Sequence, residues 1–280
     1  MHSIKKFAEN HVYIFVVGCT LAYMLLTGLF GYLIGDKPGS VTEFYLIKML
    51  ATVIPAALAA AAAFSLGLLN KNDFGARGLV KGLLFGLPFL LLFLVLYDVL
   101  HLLTSGELYG GASFLTAILL LLFNLTVGIS EEIMCRGLLF NALRSKLGDS
   151  GGGLFNAVWL SSFIFGLAHI TSLFEGSQAV PAISQMIYTA VIGVFYCALY
   201  IRSQSLLPLI IIHALIDISA FMGDIITAVD SSAVVDRAAA AQPLAEMTLI
   251  EFLSVPLLML PFAIYGLFMI RKQLRKREIC

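Results

Sequence analysis

Apolar residues in this chain run in long stretches instead of alternating with polar ones at the intervals of a half-buried helix or strand. Runs able to cross ~30 Å of hydrocarbon at ~1.5 Å per residue occupy about 11–34, 44–69, 80–103, 113–145, 154–173, 181–201, 206–229 and 248–270. Between them lie short polar or glycine- and proline-containing segments, among them Gly35-Asp36-Lys37-Pro38-Gly39, Asn70-Lys71-Asn72-Asp73 and Gly148-Asp149-Ser150-Gly151-Gly152-Gly153, which punctuate helices. The longest linker, about 230–247, is alanine-rich and polar. The pattern predicts an all-α polytopic membrane protein of about eight transmembrane helices. Residues 1–280 form a single membrane domain, because no stretch is left for a separate water-soluble one.

Composition agrees with this reading: 60% of the 280 residues are hydrophobic and 12% charged, against roughly 45–50% and about 25% in soluble domains. Lysine plus arginine equals aspartate plus glutamate at 17 each, so net charge gives no case for nucleic acid. Position matters more. With the N-terminus inside, all 17 basic residues except Lys37, Lys48 and Arg237 fall on the inner side, so the positive-inside rule predicts both termini in the cytoplasm. Lys5-Lys6 followed by Val16-Val17-Gly18-Cys19 loosely resembles a lipoprotein signal, but the apolar run continues to Ile34. That is too long for a cleaved signal, and an uncleaved first helix is expected. Cys19, Cys135 and Cys197 sit in apolar segments and Cys280 is terminal, which is not a disulfide or CxxC metal framework. No internal repeat suggests the inverted halves of a transporter.

Ionisable residues at membrane depth are costly and mark function by default, and here they cluster. Span four carries Glu131, Glu132 and Arg136, span five carries Phe165 and His169, and span seven carries His213 and Asp217. Glu132/Arg136, Phe165/His169 and His213/Asp217 are all i,i+4 pairs, the interval at which side chains share a helix face. Glu131 is turned ~100° from Glu132, so the adjacent acids can divide the labour, one neutralised by Arg136 and one free for chemistry. Glu131 and His169 each lie nineteen residues from residue 150, so in a hairpin turning at Gly148–Gly153 they face each other at one level. Nineteen residues correspond to ~28 Å of helix, so the hairpin either projects into the cytoplasm or has a longer turn. Counts from the neighbouring spans also put the site in the cytoplasmic half.

A carboxylate and an imidazole in a partly apolar cavity can polarise a water, with Glu131 as general base. A second imidazole with a hydrogen-bonding neighbour can stabilise the oxyanion formed when water attacks a carbonyl. That is peptide or amide hydrolysis. Glu131, His169, His213 and Asp217 are equally a candidate zinc site with an open position for water, and the sequence does not choose between no cofactor and a single zinc ion. Ser130 and Cys135 lie beside the acidic pair without the arrangement of a serine or cysteine nucleophile.

The motifs EExxxR, FxxxH and HxxxN/D, in this order on separate membrane helices, resemble those of the CAAX protease and bacteriocin-processing family (CPBP, or Abi) of intramembrane proteases, which includes the type II prenyl-protein endopeptidases. The resemblance covers roughly residues 113–230, which it marks as the catalytic core, and Asn156 to His169 is typical of bacterial members. It implies that Glu131 activates the hydrolytic water with His169. His213 and Asp217 would form the oxyanion site, with Glu132 and Arg136 in support. The departure is Asp217, where the prenyl-protein peptidases have Asn. An ionised aspartate repels an oxyanion, so Asp217 must be protonated, orient His213 or bind a cation.

The resemblance implies an intramembrane endopeptidase in a bacterial cytoplasmic membrane, with its site opening to the cytoplasmic half. It would work among membrane lipid on a peptide or lipidated protein, through CAAX-type or leader- and bacteriocin-type processing. The competing reading is a non-proteolytic scaffold, regulator or bacteriocin self-immunity protein on the same fold, and a proton-coupled transporter ranks third. Glu132–Arg136 taken alone reads as a structural ion pair. Asp98 and His101 in span three read as an interhelical polar pair, and the basic tail from Arg271 to Arg277 as a topology anchor against anionic lipid. Oligomeric state is not encoded in these patterns.

Overall fold

The computed structural model describes residues 2–34, 41–96, 114–174, 179–227 and 249–276, and among them there is no β-strand. The helices are α1 (His2–Asn10), α2 (Val12–Ile34), α3 (Val41–Leu66), α4 (Ala76–Leu96) and α5 (Phe114–Glu132). They continue with α6 (Asn141–Leu147), α7 (Gly151–Ala168), α8 (Thr171–Phe174), α9 (Ala179–Ser203), α10 (Leu207–Thr227), α11 (Leu249–Met269) and α12 (Arg271–Arg275). A 3-10 turn, Lys71–Phe74, precedes α4, and a π-helical segment, Ile133–Phe140, joins α5 to α6. Each of the eight expected spans contains helix among the described residues.

Among the described residues, six segments are long and apolar enough to cross a membrane: Val12–Phe30, Thr42–Leu66, Ile118–Leu147, Gly151–Leu173, Ala179–Ser203 and Phe252–Met269. The two expected spans not among these six are α4 and α10. In α10 the described apolar stretch is Leu207–Ile218. Lys37, Asp98, His101, Arg237 and the 230–247 linker lie outside the described residues.

The centre of the molecule is α9, whose residues from Ile192 to Ile201 are all buried. A helix apolar on every side belongs in the middle of a bundle, and α9 packs against α11, α7, α4 and α10. The outer helices point large apolar side chains outward: Leu25 of α2 is 73% exposed and Ile250 of α11 is 81% exposed. This is the surface a helical protein offers to lipid. The prolines inside α3, α4 and α11 (Pro55, Pro88, Pro256 and Pro261) are tolerable where neighbouring groups satisfy the freed backbone.

Two close approaches place α10. Gly78, Gly82 and Gly86 recur every four residues on α4, and side chains built there would collide with Ser205, Pro208 and Ile212. This small-residue stripe lets α4 lie directly on the start of α10, the packing mode of helices that have no water to drive them together. On the other flank, a Cβ at Gly128 of α5 would stand 2.9 Å from the Ile210 carbonyl oxygen and 3.6 Å from His213 Cβ.

The hairpin of the central motifs turns more tightly than expected. Helix α6 ends at Leu147, Gly148 turns the chain at φ 114°, and α7 starts at Gly151, with Arg144 paired to Asp149 across the bend. At the far end α7 stops at Ala168, so His169 is the C-cap and not an interior residue. Its backbone N–H reaches Gly166 at i−3 (3.1 Å), the tightening that commonly closes a helix.

Candidate active site

Helices α5, α9 and α10 meet around Glu132. This carboxylate is fully buried, and its Oε1 accepts hydrogen bonds from Arg136 Nη1 at 3.0 Å and from His213 Nδ1 at 2.9 Å. Arg136, 1% exposed, lies under the ring of Phe165 at 4.8 Å and that of Tyr196 at 5.0 Å. Its Nη2 donates to the Gly193 carbonyl at 3.4 Å. A guanidinium so far from water needs a carboxylate, a carbonyl and ring faces together, and α5, α7 and α9 each supply part of that set.

Holding Nδ1–H of His213 on Glu132 fixes the imidazole and leaves Nε2 pointing elsewhere. That nitrogen stands 3.6 Å from Glu131 Oε2 and 3.6 Å from Asp217 Oδ2. Both gaps exceed hydrogen-bond length. The His213 ring is stacked on Tyr196, with centroids 5.5 Å apart and planes at 29°. Glu131 and Asp217 are each 26% exposed, unlike Glu132. Two adjacent acids therefore face different worlds, one sealed against Arg136 and one opening outward, as the ~100° step between them requires.

Residue Ser130 fixes the start of this motif. Its hydroxyl is hydrogen-bonded to Tyr23 of α2 and reaches the Thr52 carbonyl of α3 at 3.4 Å, so the turn bearing Glu131 is tied to the first two long helices. His169 donates Nδ1–H to the Phe165 carbonyl at 2.9 Å, and its ring meets Phe165 edge-on at 4.9 Å. In that tautomer Nε2 keeps its lone pair. Among the described residues, no hydrogen bond or ion pair joins His169 to Glu131. Glu131, Glu132, Arg136, His213 and Asp217 are thus in one connected group, Phe165 lies against it through Arg136, and His169 is attached through Phe165.

Among the described residues, no group of three or more His, Cys, Asp and Glu side chains is gathered as a metal ion requires. The side chains around Glu131 can take a proton from water and place an imidazole N–H near a carbonyl oxygen. Sequence reasoning missed Tyr196, Gly193, Tyr23 and Gly128. Tyr196 had a readable signal, since it pairs with Tyr200 at i,i+4 in an apolar span and a buried arginine calls for aromatic faces. The Tyr23 contact spans 107 positions and had none.

Fold and site together define an all-α integral membrane protein with a buried carboxylate–arginine–histidine cluster. Residues 113–219 match the family model described as Type II CAAX prenyl endopeptidase Rce1-like, in keeping with the resemblance seen in the motifs. The matched segment, a little over a third of the chain, contains Glu131, Glu132, Arg136, Phe165, His169, His213 and Asp217. It supports CAAX-type intramembrane protease activity in general, with a lipid environment and peptide substrates. No curated protein and no solved structure matches the chain.

Proposed function

We propose that this protein hydrolyses peptide bonds of membrane-associated peptides or lipidated proteins, with water activated by Glu131 and His169. The observation that carries the reading is the division between adjacent carboxylates. Glu132 is buried and committed to Arg136 and His213, whereas Glu131 is partly open and makes no hydrogen bond among the described residues.

Glu131 takes a proton from a water molecule, assisted by the lone pair on His169 Nε2, and the water oxygen adds to the scissile carbonyl carbon. The charge that develops on the carbonyl oxygen is met by the Nε2–H of His213, held as the doubly protonated imidazolium among Glu131, Glu132 and Asp217 and oriented by Glu132 through Nδ1–H. Asp217 faces the same nitrogen from one turn further along α10 and steers the imidazole. The proton held by Glu131 then passes to the amide nitrogen as the C–N bond breaks, leaving a carboxylic acid and an amine, and transfer of the acid's proton to the amine gives carboxylate and ammonium. A general base contributes about 10²–10⁴-fold to such a reaction, and loss of one oxyanion donor costs about 10²–10³-fold.

The site opens to the cytoplasmic half of a bacterial cytoplasmic membrane, with both termini in the cytoplasm, which the basic loops favour. Substrates are CAAX-type proteins or leader and bacteriocin precursors. The test is cleavage of a hydrophobic reporter peptide by purified wild type and Glu131→Gln, with and without chelator, alongside elemental analysis for zinc. Glu131→Gln should remain folded and lose at least about 100-fold in rate, and undiminished cleavage would exclude the mechanism. Chelator-sensitive cleavage with stoichiometric zinc would instead assign a zinc metalloprotease. If the cellular phenotype survives Glu131, His169 and His213 substitutions, the protein acts as a scaffold or regulator.

A further inference from the structure

Where the 3-10 turn and the start of α10 meet the α6–α7 hairpin, the structure forms a partly open cleft of about 220 Å³ lined by Asn70, Asn72, Asp73, Arg144, Tyr200 and Gln204. A single water needs only roughly 10–15 Å³ by this kind of measure, so the space admits a small ligand group. None of its lining residues belongs to the acid–histidine cluster. Tyr200 lies four residues beyond Tyr196 on α9, about 6 Å further along the helix.

The hydrogen bonds made inside this cleft define what it has left to offer. Asp73 is the acid in the lining, and both its oxygens are occupied: Oδ1 accepts from the Tyr200 hydroxyl at 2.6 Å and Oδ2 from the Asn70 backbone N–H at 2.8 Å. The Tyr200 oxygen in turn accepts from Asn141 Nδ2 at 3.0 Å, and Asn70 Oδ1 accepts from the Asn72 N–H at 2.9 Å. These bonds occupy one lone pair on each Asp73 oxygen and on the Asn70 carbonyl. The donors that remain are the side-chain NH₂ groups of Asn70, Asn72 and Gln204 and the terminal nitrogens of Arg144, whose Nε alone is engaged by Asp149; the Asp73 carboxylate and the Asn72 and Gln204 carbonyls lie beside them. Gln204 is also the one described non-glycine residue with positive φ, at 55°, and there its side chain reaches the cleft lining. A guanidinium fork with amide donors around it has the chemistry that recognises a carboxylate or phosphate.

We propose that this cleft is a binding site for one oxyanion group, a carboxylate or a phosphate, held by Arg144 with Asn70, Asn72 and Gln204. Three sources share that chemistry: the C-terminal carboxylate of a peptide, a lipid headgroup, and free phosphate. The proposal concerns binding and does not rest on the hydrolytic reading of Glu131.

The test uses the full-length protein in a phosphate-free maltoside detergent, titrated calorimetrically with inorganic phosphate, short-chain phosphatidylglycerol, and a hydrophobic peptide as free acid and as C-terminal amide. At least one oxyanion probe should bind to wild type. That binding should weaken by about tenfold or more in Arg144→Gln, as expected for loss of a charged hydrogen-bond donor, and weaken measurably in Asn72→Ala. Asp149→Asn breaks the bend's ion pair but keeps the guanidinium, so it should bind as well as wild type or better. Preference for acid over amide identifies a peptide terminus, tighter binding of the lipid than of phosphate identifies a headgroup, and equal binding identifies the free anion. The proposal falls if no probe binds, if Arg144→Gln binds like wild type, or if Asp149→Asn loses as much as Arg144→Gln. Glu131→Gln should retain full binding, so a failure here is separate from a failure of the proposed chemistry.

Discussion

The buried Glu132–Arg136 pair yields a thermodynamic prediction whose size follows from its surroundings. Replacing Arg136 by Met leaves a carboxylate with no exposure and only the Nδ1–H of His213 as partner. Removing one member of a buried pair costs about 3–5 kcal/mol. The two aromatic contacts at 4.8 and 5.0 Å add little to this, because a thioether also packs well on rings. Glu132→Gln strands the guanidinium and should cost a similar amount. The double variant strands neither charge, so the two losses should fall short of additivity by about 2–3 kcal/mol. The assay is reversible unfolding in mixed micelles with rising SDS, followed by helical circular dichroism and by fluorescence of Trp159, the sole tryptophan. An exposed pair would give a coupling of about 0–1 kcal/mol, and polar contacts between membrane helices average about 0.6 kcal/mol. Additivity within about 0.5 kcal/mol would refute the claim that these two charges are buried against each other.

Other outcomes follow from helix placement. Gly128→Ala puts a methyl 2.9 Å from the Ile210 carbonyl oxygen; the displaced α10 should slow reporter cleavage by about 10–100-fold while the protein stays folded, and an unchanged rate would refute the role given to this approach. Gly82→Leu, facing Pro208, should lower the melting temperature in detergent, whereas Gly18→Leu, with no atom within 4 Å of its Cβ position, should not. Equal effects would show that the α4 stripe does not position α10.

Helix positions were legible because a residue in lipid must close its hydrogen bonds within its own segment, so hydropathy alone marks where helices run. Among the described residues each of the eight expected spans therefore carries a helix, and six of the described segments are long and apolar enough to cross. The Glu132–Arg136 contact was readable from its interval, and so was the different facing of Glu131. The bridge from Glu132 to His213 was not, since it joins residues 81 positions apart and the i,i+4 rule describes one helix at a time. His169 shows the same limit at a helix end. Hydropathy continues through Ile170, but the backbone turns at the histidine.

The π-helical stretch Ile133–Phe140 bears on how much chain this protein can lose. Its bonds span i to i+5, so each turn stores surplus backbone compared with the α-helices on either side. Deleting one residue there, for example Leu138, lets the segment relax into ordinary helix, and the surplus backbone takes up the loss, so the flanking helices keep roughly their facing. The same deletion inside α5 would rotate one side against the other by ~100° and separate Glu131 and Glu132 from His213 or Asn141 from Tyr200. The π-helical stretch is thus the place between the acidic motif and the hairpin where this chain can give up a residue and still assemble the site.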